Sequence, residues 1–108
     1  MTKFEIKDEF YYNDKQVKII SDVIHYFRVV PEYWLDRLEK SKALGCNTVE
    51  TYVPWNLHEL HEGQFNYTVS LDLRRLILMA DSLDLHVILR PAPYICAEIE
   101  FGGLPYWL

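Results

Sequence analysis

Two short apolar segments of this chain each run into a proline, and a helical segment separates them. Residues 47–53 are rich in β-branched side chains and stop at Pro54, and the apolar run of residues 86–89 is followed by Arg90 and Pro91. Proline lacks the N–H group that a strand ladder needs and fixes its φ angle, so both strands end there. Strands joined through a helix usually pair in parallel. The chain is therefore predicted to belong to the parallel α/β class.

The rest of the chain supplies the other elements of this pattern. Residues 4–20 predict a β-hairpin, and the β-branched run of residues 17–25 continues into strand 1. Residues 31–44 predict helix 1, which begins at a proline and ends before a glycine, and residues 71–83 predict helix 2, capped by a serine or an aspartate. Residues 54–70 predict a loop. The predicted order is a β-hairpin followed by β-α-β-α-β.

The predicted elements are too few for a complete barrel. Three parallel strands and two helices leave an open sheet, whereas a complete (β/α)8 barrel takes about 250 residues. The chain has 108 residues and ends in a loop. We therefore expect residues 1–108 to form the N-terminal portion of a (β/α)8 TIM barrel, incomplete in this chain. The unpaired edges of such a sheet favour self-association.

The composition fits a folded domain with an uncharged partner. Half of the residues are hydrophobic, 15% are aromatic, and the formal net charge is −5. A negative charge without a basic run argues against nucleic acid and anionic membranes as partners. No apolar stretch approaches the roughly 20 residues of a membrane span and no signal-peptide pattern opens the chain, so we expect a cytoplasmic location, with Cys46 and Cys96 reduced. No glycine-rich loop precedes a helix, so no cofactor is predicted.

Polar and aromatic side chains follow each of the three predicted parallel strands. Because the carboxyl ends of parallel strands meet at one end of a barrel, these side chains are expected to converge there. The candidates are His25, Tyr26, Tyr52, Trp55, Asn56, Cys96, Glu98 and Glu100. Three of them have structural alternatives: Tyr52 as a buried tyrosine with a satisfied hydroxyl, Trp55 as a core residue, and His25 as a hydrogen-bonded residue of the barrel rim.

Glu98 and Glu100 stand two residues apart, so in an extended backbone they point the same way. The pair resembles the paired carboxylates of glycosidases. In those enzymes, however, the two acids flank the scissile bond from opposite sides, which neighbours on one loop rarely achieve. We therefore expect one of the two to accept hydrogen bonds from substrate hydroxyls. The simpler alternative is a solvated acidic loop.

His58 and His61 form the one pattern that resembles a metal site. Their spacing differs from that of the helical zinc motif, whose histidines lie four residues apart, and residues 58–62 are expected in a solvated loop. Cys96 would need a base beside it to act as a nucleophile, and the sequence nominates none. The sequence therefore predicts no metal site and no cysteine nucleophile.

Two long segments of the chain resemble one enzyme family. Residues 24–59 read IHYFRVVPEYWLDRLEKSKALGCNTVETYVPWNLHE, and residues 87–108 read VILRPAPYICAEIEFGGLPYWL. In order and spacing they resemble the N-terminal part of the glycoside hydrolase family 35 β-galactosidases, and the resemblance covers residues 4–108. It implies a (β/α)8 catalytic barrel that hydrolyses terminal non-reducing β-D-galactose residues with retention, and hence a role in carbohydrate metabolism.

The resemblance also implies roles for particular residues. Tyr52 of the ETYVPWN motif and Cys96, Ala97 and Glu98 of the ICAE motif would line the galactose subsite, with Glu98 accepting hydrogen bonds from sugar hydroxyls. The two catalytic glutamates of the family lie on later strands, so none is expected in this chain, which alone would be inactive. The other candidates, including His25, Tyr26, Trp55, Asn56 and Glu100, would support the subsite. The alternative is a non-catalytic truncated fragment that acts only through self-association or complementation.

Among the departures from the usual family pattern, those at Asp22, Ala92 and Ile99 bear on the backbone and the sugar pocket. Asp22 and Ala92 stand where glycine is usual, and Ile99 stands where tryptophan is usual. An aspartate is strained at a position that requires a positive φ angle. Ile99 removes an indole that could border the sugar pocket. These departures leave the substrate range open.

Overall fold

The computed structural model describes residues 2–91 and 93–108, so the departure at position 92 lies outside the described residues. Within them, six strands form two three-stranded sheets. The first sheet is antiparallel and contains β1 (Phe4–Ile6), β2 (Phe10–Tyr12) and β3 (Lys15–Val17) in that order. The second is parallel and contains β4 (Ser21–Val23), β5 (Thr48–Tyr52) and β6 (His86–Arg90). The α-helices are α1 (Trp34–Ala43), α2 (Trp55–His58) and α3 (Leu73–Ser82).

The N-terminal segment is a three-stranded meander, and the prediction of a single hairpin is wrong. The turn at Asn13 and Asp14 is confirmed, because both residues have positive φ angles, of 49° and 65°. A second turn at residues 7–9 divides the predicted first strand, since the three charged side chains there favour a solvated turn over a ladder. The run of residues 17–25 is not one continuous strand, because Val17 closes the first sheet; its later part, β4, pairs with β5 and is strand 1.

Both predicted crossover helices are confirmed, with small changes at their ends. A 3-10 turn at Pro31–Tyr33 precedes α1, and Gly45, with a φ angle of 96°, follows it. At α3 the carboxylate of Asp72 accepts a hydrogen bond from the backbone N–H of Arg75 across 3.0 Å. Asp72 is therefore the cap of this helix, since its carboxylate satisfies an N–H group that has no partner within the helix.

The prediction of an unbroken loop over residues 54–70 is wrong. The short helix α2 forms at its start, where the indole of Trp55 donates to a carboxylate oxygen of Glu59 across 2.9 Å. This bond joins residues four apart and closes one helical turn. A 3-10 turn at Val69–Leu71 then leads into α3.

The helices α1 and α3 pack on one face of the parallel sheet. Trp34 and Leu38 of α1, Val49 of β5 and Leu76 of α3 belong to one buried cluster. The parallel pairing of β5 with both neighbours confirms the α/β class and the β-α-β-α-β order. The sheet is not closed into a barrel in the described residues, where β4 and β6 form its two edges. No helix in this part of the chain is both long and apolar enough to span a bilayer.

The apolar run of residues 86–89 is typical of a strand that is buried on both faces, but β6 is not fully buried. Its residues are half-buried or exposed, because α1 and α3 cover only one face of the sheet and β6 lies at its edge. At its N-terminal end, the ring of His86 meets the ring of Tyr12 edge-on, with centroids 4.6 Å apart. The antiparallel sheet therefore lies at the N-terminal end of the parallel strands, and the opposite end carries the loops with the candidate site residues.

Candidate functional site

Successive side chains of β5 and β6 point to opposite faces of the parallel sheet. Val49 and Val87 pack into the core under α1 and α3. By the same alternation, Glu50, Tyr52 and Arg90 belong to the opposite face, which we call the open face. At the C-terminal ends of the strands the open face therefore carries a carboxylate, a phenol and a guanidinium.

Arg90 connects two side chains of β5 on the open face. Its Nη1 donates to Oε1 of Glu50 and to the hydroxyl of Tyr52, in each case across 3.1 Å. Its guanidinium carbon lies 4.7 Å from the centroid of the Tyr52 ring. The contact follows from the strand register, because Tyr52 and Arg90 are directly paired. The hydrogen bond to Glu50, and then the Tyr52 hydroxyl, raise the pKa of Arg90 above its ordinary value, so it stays cationic.

His25 lies beside Tyr52 at the end of β4, with ring centroids 5.4 Å apart. The His25 ring also stacks on the ring of Phe27, with centroids 5.2 Å apart. Its Nε2 is buried and has no hydrogen-bond partner among the described residues. Burial, and then the charge of Arg28, lower the pKa of His25, against a smaller opposing effect of Glu50. The ring is therefore uncharged at neutral pH.

Arg28 ties the segment after β4 to the loop after β6. Its guanidinium donates a hydrogen bond to the backbone carbonyl of Ala97, a buried residue. The side chains of Cys96 and Glu98, on either side of Ala97, are exposed. Both cysteines of the chain are free thiols. The three ICAE residues of the predicted subsite thus lie on a loop that is anchored at its middle residue.

The prediction that Glu98 and Glu100 point the same way from an extended backbone is wrong. Glu98 has a φ angle of 51°, in the left-handed region, and Glu100 begins a 3-10 turn over Glu100–Gly103. The backbone reverses here because Ile95 donates its N–H to the carbonyl of Gly102 across 2.7 Å. Both carboxylates are exposed. The segment that carries the two carboxylates is therefore reversed and not extended.

The two described departures from the family pattern are accommodated without strain. Asp22 does not have a positive φ angle, and its carboxylate accepts a hydrogen bond from the hydroxyl of Ser41 on α1 across 2.8 Å. Ile99 is half-buried and lies close to Gly103. Aspartate and isoleucine are therefore both compatible with this backbone.

Tyr26, predicted to support the site, is a core residue instead. Its side chain is completely buried, and its hydroxyl donates to Nε2 of His58 across 2.5 Å. Burial raises the pKa of Tyr26 above its ordinary value. Its position follows from the 3-10 turn Tyr26–Arg28, which turns the chain inward directly after His25. Tyr26 therefore supports the site only through the packing beneath it.

The prediction of a solvated segment over residues 58–62 is confirmed for residues 60–62, which are exposed, and is wrong for His58 and Glu59, which are buried. The His58 ring is 2% exposed and stacks on Tyr67 with centroids 4.5 Å apart. Nδ1 of His58 donates to the carbonyl of Asn66 across 2.8 Å, so both ring nitrogens are engaged. Burial lowers the pKa of His58, although the Asn66 carbonyl opposes this. In the described part of the chain, no three His, Cys, Asp or Glu residues cluster as metal ligands would.

Trp55 and Asn56 lie on α2 beside the end of the chain. The Trp55 ring meets the Trp107 ring edge-on, with centroids 5.8 Å apart. The indole of Trp107 donates to the backbone carbonyl of Glu59 across 3.1 Å, and the carboxylate of Glu59 accepts from Trp55 and from the N–H of Gly63. Oδ1 of Asn56 is buried with no partner among the described residues. Trp55 thus has a structural role at this loop junction.

Four residues of this region were not predicted from the sequence: Arg28, Glu50, Glu59 and Arg90. A signal existed for two of them, since Glu50 shares a face of its strand with Tyr52 and Arg90 ends the neighbouring parallel strand. The contact of Arg28 with Ala97 spans 69 residues and has no local signal. The structure therefore places one arginine beside each motif of the predicted subsite: Arg90 beside Tyr52 and Arg28 beside Ala97.

Comparison with known proteins identifies the family. The sequence model described as glycosyl hydrolases family 35 matches residues 9–108. The chain belongs to this family. Its relatives in family 35 include the Beta-galactosidase-1-like protein 2 of Homo sapiens, which is 56% identical over 99 residues, or 92% of this chain and 16% of that protein.

Two other relatives also have beta-galactosidase names. The Beta-galactosidase-1-like protein 3 of Rattus norvegicus is 59% identical over 90 residues, which cover 83% of this chain and 14% of that protein. The Beta-galactosidase of Bos taurus is 49% identical over 102 residues, which cover 94% of this chain and 16% of that protein. The chain thus spans only 14% to 16% of the length of these relatives.

Proposed function

We propose that this chain is part of the catalytic (β/α)8 barrel of a retaining β-galactosidase and supplies part of its galactose subsite. The observation that carries the proposal is the pairing of Tyr52 with Arg90 at the C-terminal ends of neighbouring parallel strands. Active sites of α/β barrels lie at that end. Membership of family 35 and the beta-galactosidase names of the relatives support the substrate, a terminal non-reducing β-D-galactose residue.

Sugar binding is the role proposed for the residues of this chain. Tyr52 contributes an aromatic ring and a hydroxyl from the end of β5. The exposed carboxylate of Glu98 accepts hydrogen bonds from the sugar hydroxyls, while Cys96 and Ala97 border the same subsite. Because the Ala97 carbonyl already accepts from Arg28, this loop is anchored independently of the sugar.

Bond cleavage is assigned to residues that are not in this chain. Hydrolysis with retention uses two carboxylates about 5 Å apart, one as the acid and base and one as the nucleophile. In the proposed enzyme these are two glutamates of later barrel strands, one of them with a raised pKa so that it can protonate the leaving oxygen. Glu98 and Glu100 do not take these roles, because they lie on one loop.

Two measurements on the purified chain test the proposal. We expect no release of chromophore from a chromogenic β-galactoside. In a ¹⁵N NMR titration, we expect a β-thiogalactoside to shift the amide resonances of Tyr52 and Glu98, and the matching β-thioglucoside to leave them in place. The Glu62→Gln variant, altered at an exposed residue, should behave as the wild type. Turnover that Glu98→Gln abolishes, or the absence of any galactoside-specific shift, would contradict the proposal.

A second candidate is a non-catalytic chain that acts through self-association or complementation. It is favoured by the two open sheet edges, where Val23 of β4 is 56% exposed and Leu89 of β6 is 40% exposed. Size-exclusion chromatography over a range of concentrations distinguishes the candidates. Oligomers that grow with concentration support self-association, and a monomer with a cooperative thermal transition counts against it.

A further inference from the structure

The structure assigns Arg90 as the positioning residue of the proposed sugar site. Its guanidinium fixes the hydroxyl and the ring of Tyr52, and Glu50 in turn fixes the guanidinium. This inference rests on the proposed function, in which Tyr52 contacts galactose. Arg90 itself is not assigned to contact the sugar.

The surroundings of Tyr52 support this role. A tyrosine ring on an open sheet face can rotate about two side-chain bonds unless its neighbours hold it. Here the ring has the guanidinium of Arg90 at 4.7 Å and the ring of His25 at 5.4 Å, and its hydroxyl is held at 3.1 Å by the same guanidinium. Contacts at both the ring and the hydroxyl leave one preferred orientation, since rotation would break them together.

The direction of the hydrogen bond sets the chemistry of the Tyr52 hydroxyl. A guanidinium has only donors, so the Tyr52 oxygen must accept from Arg90. Its own O–H proton is then free to donate to another group. We expect the recipient to be an oxygen of the bound sugar, which makes Tyr52 a donor, whereas Glu98 as a carboxylate is an acceptor. The site would thus offer the sugar both kinds of hydrogen-bond partner.

Glu50 completes the arrangement on the same face of β5. Its carboxylate accepts from the Nη1 that also reaches Tyr52, and it balances the charge of the guanidinium. The pair therefore adds no net charge beside an uncharged substrate. Lysine could not replace Arg90 fully, because an ammonium lacks the planar group that meets the carboxylate while lying over the ring.

The test uses the 108-residue chain with tyrosine labelled with ¹³C at the ζ carbon. The wild type is compared with four variants: Arg90→Gln, Arg90→Lys, Tyr52→Phe and the double variant Tyr52→Phe/Arg90→Gln. The matched control is Arg74→Gln, which alters an exposed arginine of α3. The first readout is the ζ-carbon resonance of Tyr52, which reports its hydrogen bonding. The second is the Kd of a β-thiogalactoside.

We expect Arg90→Gln to move the Tyr52 resonance and to raise the Kd about fivefold, as for the loss of one hydrogen bond. Arg90→Lys should give a smaller change in both, and Arg74→Gln none. Because Arg90 acts through Tyr52, the double variant should bind within about twofold of Tyr52→Phe alone. If Arg90→Gln does not fold, Glu50→Gln, which frees the guanidinium, should still move the resonance.

Each contrary result has a distinct meaning. If Arg90→Gln binds the galactoside as tightly as the wild type, the inference is overturned and the proposed function stands. Additive losses in the double variant also overturn it, since Arg90 would then act independently of Tyr52. If the wild-type chain does not bind the galactoside, the proposed function fails, and the Tyr52 resonance alone decides whether Arg90 holds that hydroxyl.

Discussion

The hydroxyl of Tyr26 donates a hydrogen bond to Nε2 of His58 across 2.5 Å inside the core. The two residues are 32 positions apart and follow different strands of the parallel sheet. Nδ1 of the same imidazole donates to the carbonyl of Asn66, so the neutral ring carries its proton on Nδ1. This pair joins the segments after β4 and β5 beneath the candidate site.

Replacing Tyr26 by phenylalanine should lower the free energy of unfolding by about 1–3 kcal/mol. The substitution keeps the ring but leaves Nε2 of the buried His58 without its hydrogen-bond donor. Urea unfolding followed by circular dichroism measures the effect. Tyr33→Phe, at a tyrosine that is 56% exposed, is the control and should change stability little. Equal stability of the two variants would contradict the prediction.

Stability should decrease as the pH falls below about 6.5, the ordinary pKa of histidine. The pKa values of His25 and His58 are lowered in the folded chain. In the window below 6.5 the unfolded chain therefore binds more protons, so acid favours unfolding, and above 6.5 this contribution no longer changes. Unfolding in urea at pH about 7.5 and about 5 measures the difference.

The matched variants for this pH effect are His58→Gln and His61→Gln. His58→Gln removes one of the two rings with a lowered pKa and should show a smaller loss of stability between the two pH values. His61 is exposed, so His61→Gln should keep the full loss. A loss of the same size in both variants would show that His58 does not contribute.

Glu59→Gln should destabilise the junction between α2 and the end of the chain by about 1–3 kcal/mol. The two carboxylate oxygens of the buried Glu59 accept from the Trp55 indole and from the N–H of Gly63, each across 2.9 Å. Glutamine has one acceptor oxygen, so one of these donors would face an NH2 group. Tryptophan fluorescence during urea unfolding measures the change, and unaltered stability of Glu59→Gln relative to the exposed control Glu62→Gln would refute it.

The two acidic residues of the terminal loop should differ in their effect on galactoside binding. Glu98→Gln should weaken binding of a β-thiogalactoside at least about tenfold, because it removes a charged acceptor of sugar hydrogen bonds. Glu100→Gln should weaken binding less than about twofold. Glu100 is the first residue of a 3-10 turn and is proposed only to support the sugar site. Calorimetric titration of both variants measures the difference. The reverse order of effects would assign the sugar contact to Glu100.

Much of the parallel unit was predictable because its signals are local. Three signals each act within a few residues of the chain: the prolines that end β5 and β6, the helical spacing of α3, and the Asp72 cap. The N-terminal meander was not predicted, because the run of residues 4–12 alternates well enough to hide the turn at residues 7–9. The helix α2 was missed because its four residues are too few to show a helical period.

The candidate site likewise has features that the sequence predicts and features that only the tertiary structure decides. Sequence motifs alone identify the family, the parallel α/β class and Tyr52, Cys96, Ala97 and Glu98 as candidates. Only the tertiary structure decided that Tyr26 belongs to the core, that the backbone reverses between Glu98 and Glu100, and that Arg90 holds Tyr52. A motif specifies residue types in order along the chain, but the face on which a side chain lies and the partner it meets depend on strand register and on packing between distant segments.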